Sequence, residues 1–419
     1  MIDLMLNWSE WIKPSAGLPT VQWSLLLALA AAAGHLLQRH TGLPKVLGYS
    51  AVGALAGFSG YTTATWPLDG IALFMVELGL SIMLFEAGGR LTLRWFRHNP
   101  MLLVQSVAES IATYLAAWWM LSLFGVEEAL RMPLALLVVA TSPAVLMRVA
   151  TDLRASGPVT DRAITLAALN TLYVLALGGV MARFIGRPDS SLMEAIYPVI
   201  LLLVTSVLFG AILAMGLRQA LRLMSPTSEN TSVLLLALVA ACTALAAHFG
   251  GSAPLAALLA GILLKTLHPR PWSWPRQFGT AASILTILMF LLVSMAAAQA
   301  SWNWQAFGLI AVLVLVRTLA KMAAIAAANT GTGASLRQAL WTACAMWPMS
   351  AVALLVVSQF VEFAPVLGQQ IAAIALPMIL LLEVLGALMI TLALQRVGEA
   401  SRPPAVQRSN PAVENTHAA

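Results

Sequence analysis

Residues Thr141-Ser142-Pro143-Ala144 sit at the middle of an apolar segment running from about residue 131 to 151. A proline cannot continue an α-helix, and the residue before it is pushed into extended backbone. At bilayer depth the interruption frees carbonyl and amide groups that lipid cannot satisfy. Such backbone has to be buried in protein or line a wet cavity. Trp347-Pro348-Met349-Ser350 reads as a second interruption far downstream. Two broken helices in corresponding halves of one chain point to the substrate site of a secondary transporter.

The rest of the chain has the composition this reading needs. Of 419 residues, 60% are hydrophobic and 10% charged, and the mean hydropathy is +0.86. That makes an all-α polytopic membrane protein the expected fold class. The polar segments are too short for a catalytic domain. No nucleophile–base pair, phosphate loop or metal-ligand spacing appears, which argues against an enzyme, a metal or a cofactor. A net charge of +6 is not a nucleic-acid signal here, because the basic residues fall in short loops. Cys242 and Cys344 both lie in apolar segments and read as small core residues. The first twenty residues lack a basic start, so no signal peptide is expected. Trp8 and Trp11 suit a short interfacial helix instead.

About thirteen apolar segments of spanning length follow, at roughly twenty residues each. They cover approximately 20–38, 43–60, 69–89, 100–123, 131–151, 161–185, 193–217, 229–249, 252–267, 279–299, 304–327, 338–360 and 368–394. Trp23, Trp66, Trp95, Trp272, Trp274, Trp302 and Trp304 stand near segment ends, as an interfacial belt requires. Loops after odd-numbered spans hold most of the arginines, among them Arg39, Arg90, Arg94, Arg97, Arg148, Arg154, Arg162, Arg218, Arg222, Arg270, Arg276, Arg337 and Arg396. Loops after even-numbered spans hold only Arg131, Arg183 and Arg187. The positive-inside rule then places the N-terminus of the multi-pass chain outside and the C-terminus in the cytoplasm. Residues 1–19 form an extracytoplasmic segment, 20–400 the membrane domain, and 401–419 a disordered cytoplasmic tail.

The chain also reads as two copies of one unit. Span 2 has Gly53-Ala-Leu-Ala-Gly57 and span 9 has Ala257-Leu-Leu-Ala-Gly261. Span 5 breaks at Pro143 and span 12 at Pro348. Both pairs are seven spans apart, and an odd offset inverts the second copy. Spans 1–6 and 8–13 are therefore expected to be inverted repeats.

Ionisable groups at bilayer depth are costly and are functional candidates by default. The central ones are Glu77, Glu109, Arg317, Lys321 and Glu383, with the polar pair Asn170-Thr171 in span 6. Arg317 and Lys321 are four apart and share a helix face. Under the repeat, Glu109 is expected at the level of Arg317 and Lys321, and Asn170 opposite Glu383. Glu86 reads as interfacial and His248 as exposed. Glu109 and Glu383 have two readings, as structural ion pairs or as carriers of a proton and a cation. Thr141, Ser142, Asn170 and Thr171 likewise either join helices by hydrogen bonds or supply oxygens to a desolvated cation.

Several of these stretches resemble the monovalent cation:proton antiporters of the bacterial sodium/hydrogen exchanger superfamily. Gly42-Leu-Pro-Lys-Val-Leu-Gly-Tyr-Ser-Ala-Val-Gly53 is similar to the family's second helix, and Glu77-Leu-Gly-Leu-Ser-Ile-Met-Leu-Phe-Glu-Ala-Gly88 to its third. Thr141-Ser-Pro-Ala-Val145 resembles its broken helix, Ser252-Ala-Pro-Leu-Ala-Ala-Leu-Leu-Ala-Gly261 its ninth span, and Arg317 with Lys321 a basic pair before the second break. The resemblance implies crossed broken helices in a core domain (about 100–185 and 304–394) that moves against a gate and dimer domain (about 20–89 and 193–299). It also implies a homodimer and alternating access. In span 6 the family has an acid that binds ion and proton. Asn170-Thr171 lacks it.

Antiport needs a group that holds either a proton or a cation. Burial favours the proton on a carboxylate and a neighbouring cation favours the ion. Glu109 or Glu383 is expected to replace the missing acid, with Thr141, Ser142, Asn170 and Thr171 as oxygen donors and Arg317 and Lys321 as charge compensation. The partners are then a monovalent cation, sodium or potassium, and a proton. Two other readings stay open: an uncoupled leak or sensor on the same scaffold, and an organic-anion carrier whose Arg317 faces the anion.

Overall fold

The computed structural model describes residues 18–61, 66–91, 97, 99–185, 192–225, 228–267, 276–300, 302, 304–349 and 351–400. Residues 1–17 with Trp8 and Trp11, the tail from 401, Arg94, Trp95, Arg187, Arg270, Trp272, Trp274 and Ser350 lie outside them. Among the described residues there are helices and no strands. The helices are α1 (Leu18–Thr41), α2 (Lys45–Ser59), α3 (Gly70–Arg90), α4 (Pro100–Leu123), α5 (Glu128–Val139), α6 (Pro143–Asp152), α7 (Pro158–Ile185) and α8 (Leu192–Leu223). The second half adds α9 (Glu229–His248), α10 (Ala253–Leu267), α11 (Arg276–Ala298), α12 (Trp304–Ala327), α13 (Leu336–Ala345), α14 (Ala351–Phe363) and α15 (Pro365–Arg396). Helices α5 and α6 are halves of one interrupted run, as are α13 and α14. Among the described residues, ten runs are long and apolar enough to cross a membrane, α5 with α6 among them, while α10 and α14 are shorter and apolar.

The packing partners recur at an offset of seven runs. Helix α2 lies on α11, and seven runs on, α10 lies on α3. In the same way α4 on α5 becomes α12 on α13, and α7 on α14 becomes α15 on α6, and every one of these pairs is in contact. The small-residue motifs explain two of the contacts. A Cβ at Gly53 or Gly57 would strike the carbonyl of Leu291 or Met295 on α11, and one at Gly261 would meet the Gly89 nitrogen of α3 at 2.8 Å. Bare backbone is what lets these helices approach so closely, as membrane bundles require.

Connections at the two ends of the bundle sort as the charge alternation predicts. Gln38 and the Lys45 N–H both reach Asp152, Arg162 donates to Thr332, and Arg337 donates to the Arg396 carbonyl. These link connections that follow odd-numbered runs. At the other end, the Trp66 N–H donates to Gln299 across 2.9 Å, and the Arg183 guanidinium lies 5.4 Å from the Phe363 ring.

Helix α4 shows how the pattern is turned inside out for lipid. Leu103, Val107, Ile111, Leu115 and Trp119, four apart, are exposed. Gln105, Ser106, Glu109 and Thr113 on the other face are buried. With no water around the bundle, the apolar stripe faces acyl chains and the polar stripe faces protein.

Candidate functional site

Ser142 has extended backbone and caps α6, its hydroxyl accepting from the Val145 N–H at 3.3 Å. Helix α5 stops at Val139 because Pro143 cannot extend it. Helix α13 stops at Ala345, and Trp347, Pro348 and Met349 run unwound. The breaks touch: the Ser142 N–H donates to the Pro348 carbonyl across 2.8 Å. A Cβ on Gly386 of α15 would fall 2.6 Å from the Pro348 Cα, so glycine is what lets α15 press against the crossing.

Carbonyls at the C-terminal ends of α5 and α13 are left without helical partners, and each end is the negative pole of its helix. Two basic side chains from α12 meet them. Arg317 donates through Nε to the Val138 carbonyl at 2.9 Å, through Nη2 to Ala140 at 2.6 Å and Met346 at 3.3 Å, and through Nη1 to Trp347 at 2.9 Å. It also reaches Thr141 Oγ1 at 3.4 Å. Lys321 donates to the Val139 carbonyl at 3.2 Å and pairs with the Glu109 carboxylate. Both basic groups are fully enclosed, so neither snorkels.

Around Glu109 the polar groups of three helices converge. Asn170 Nδ2 donates to Glu109 Oε2 at 2.9 Å and to Thr141 Oγ1 at 3.3 Å. Thr113 donates to Glu109 Oε1 at 3.3 Å, and Ser110 donates to Asn170 Oδ1 at 3.0 Å. Thr171 donates to the carbonyls of Thr141 at 3.3 Å and Ala167 at 3.0 Å. The cluster therefore gathers carboxylate, amide, hydroxyl and carbonyl oxygens in a dry place, the chemistry a hard cation takes. Ser110 also borders an apolar groove of about 670 Å³ between α4, α5 and α7.

Residues 25–396 match the family described as sodium/hydrogen exchanger, transmembrane. The chain belongs to that family. Its members are transporters, not enzymes. Among solved structures, this exchanger is similar to the sodium proton antiporter MjNhaP1 from Methanocaldococcus jannaschii. The structure at pH 8 superposes with a TM-score of 0.66 at 14% identity, over 89% of this chain and 97% of that one. The electron-microscopy structure gives 0.69 at 16% identity, over 93% and 100%. At these identities the likeness concerns the fold. No curated protein matches.

Of the residues singled out by sequence, the crossing brings together Thr141, Ser142, Pro143, Pro348, Glu109, Asn170, Thr171, Arg317 and Lys321. It does not include Glu383. The expected placement of Asn170 opposite Glu383 is not observed, because the two side chains turn to different helices. Asn170 looks toward α4, whereas Glu383 looks toward α2 and α11. There Ser50 donates to its Oε1 at 2.6 Å and Ser294 at 3.2 Å. Glu86 pairs with Arg90 one turn on, both half exposed, which fits an interfacial place. Arg317 has its donors directed at carbonyls, so it is not free to face an organic anion. No group of three or more His, Cys, Asp or Glu able to hold a metal occurs among the described residues. Sequence reasoning missed Ser50, Ser110, Thr113 and Ser294. The spacing of Thr113 four residues after Glu109 is the signal that could have found it. Ser294 has none.

Proposed function

We propose that this exchanger trades a monovalent cation, sodium or potassium, for protons by alternating access, with Glu109 as the acid at the crossing. One observation supports it above the others: the Glu109 carboxylate, enclosed with Asn170 and Thr141, is held by an ammonium rather than a guanidinium. Arginine keeps its proton, whereas a buried lysine can release one. An arriving cation takes the place of the Lys321 ammonium on Glu109, and Lys321 gives its proton to water on the open side. The charge of the enclosed cluster is the same before and after. Arg317 stays protonated and keeps both half-helix ends neutralised.

In this reading the group α4–α7 with α12–α15 is the core domain and α1–α3 with α8–α11 the gate and dimer domain. A cleft of about 220 Å³ between α3, α6 and α11, bordered by Glu86, Arg148 and Thr151, is the cytoplasmic approach. The homodimer, the bacterial inner membrane and the outside N-terminus belong to the same proposal.

The experiment is proton-gradient-driven sodium or potassium flux in proteoliposomes. The wild type is expected to couple the two, and Glu109→Gln to abolish the coupled flux. Unaltered flux in Glu109→Gln rejects the assignment. A steady cation conductance in the wild type without proton movement favours a leak instead.

A further inference from the structure

Glu383 is as deeply buried as Glu109 but has nothing like its surroundings. Both serine hydroxyls that touch it donate to the same oxygen, Oε1. Oε2 is buried and has no hydrogen-bond partner among the described residues. Helix α15, which holds Glu383, packs on α2, α5, α6, α11, α12, α13 and α14. The charged groups of these helices that lie inside the bundle meet other partners, and no ion pair among the described residues includes Glu383. On α12, Arg317 is on carbonyls and Lys321 on Glu109. On α6 and α2, Arg148 lies near Asp152 and donates to Tyr49, while Asp152 accepts from the Lys45 N–H. Arg131 of α5 donates to Val126 and Ser122. Glu128, Arg276, Arg337 and Glu362 stand at or near helix ends. None of the described basic groups pairs with Glu383.

An ionised carboxylate cannot rest in such a place without a compensating charge, and with no basic side chain paired to it a proton on Oε2 supplies that charge. We infer that Glu383, with Ser50 and Ser294, is a second proton-binding site, separate from the Glu109 cluster and divided between the two helix groups. In the bound form Oε2 carries the hydrogen and Oε1 accepts both serine hydroxyls. The acid comes from α15, the serines from α2 and α11. Relative movement of the groups, as proposed above, withdraws the serines from the acid and changes its hold on the proton. The role in transport rests on that movement; the site itself does not.

Infrared difference spectra of the full chain in lipid bilayers test this directly. A neutral buried carboxyl has its own carbonyl stretching band, readable without any transport. The wild type is expected to show that band, Glu383→Gln to lose it and Glu109→Gln to keep it. Ser50→Ala and Ser294→Ala are expected to shift its frequency, because each removes a donor to Oε1. These two variants also serve if Glu383→Gln fails to fold. A band that survives Glu383→Gln, or no shift in either serine variant, overturns the inference. So does a band abolished by saturating sodium or potassium, since Glu383 would then be a cation site. Loss of cation flux in the wild type would overturn the transport reading and leave the band untouched.

Discussion

Ser142 and Pro348, 206 positions apart in the chain, share a backbone hydrogen bond of 2.8 Å at the centre of the fold. Each helix break thereby satisfies part of the other, which is how unwound backbone survives at membrane depth. The freed carbonyls of Val138, Val139, Ala140, Met346 and Trp347 fall to Arg317 and Lys321, and that of Thr141 to Thr171.

Replacing Arg317 with Lys is expected to loosen the crossing. One ammonium cannot reach the carbonyls of Val138, Ala140, Met346 and Trp347 together, and hydrogen bonds from a charged group are worth about 1.5–3 kcal/mol each. The melting temperature of Arg317→Lys in detergent should fall clearly below wild type, with transport lost. An unchanged melting temperature would show that the guanidinium fork is dispensable.

Breaking the Lys321–Glu109 pair from one side leaves an uncompensated buried charge, at a cost of about 3–5 kcal/mol. Lys321→Met and Glu109→Leu should each melt well below the wild type. The double variant should recover much of that loss, because no charge is stranded, yet remain inactive. Additive destabilisation in the double variant would argue that the two groups act independently.

Gly386→Ala places a Cβ 2.6 Å from the Pro348 backbone, so one element must shift, at about 1–3 kcal/mol. Gly308→Ala is the control, since nothing lies within 4 Å of a Cβ there. Comparable melting temperatures for the two variants would contradict the close approach of α15 to the crossing.

Glu399 closes the start of α7. Its carboxylate accepts from the N–H groups of Val159 and Thr160, both at 2.8 Å, and from the Thr160 hydroxyl at 2.7 Å. Glu399→Ala should cost about 0.5–2 kcal/mol, the usual loss for a helix cap, and lower the melting temperature accordingly. Truncation after Ala400 retains this contact and should melt like the full chain.

The fold was legible because its governing signals are local. Pro143 and Pro348 announce the breaks, apolar runs announce the helices, and Gly53, Gly57 and Gly261 announce close packing. Glu109, Lys321 and Asn170 were legible as a group because a polar side chain inside an apolar run has few places to go. The surroundings of Glu383 were not legible. Its neighbours Ser50 and Ser294 come from distant runs, and a serine in an apolar helix usually bonds to its own backbone one turn back. The seven-run repeat predicted its level in the bundle but not its direction, since side-chain heading depends on helix rotation. Nor could the partners of Arg317 be read, because backbone carbonyls leave no mark in residue identity.

Arg317 meets peptide oxygens and not a particular acid, so the crossing holds together whichever side chain nearby is the acid. The frame therefore stands without an acid at position 171, where Thr171 instead donates to the Thr141 carbonyl. Substitutions at positions 109, 170 and 171 can thus change the oxygen lining of the cluster while the guanidinium keeps its carbonyl contacts.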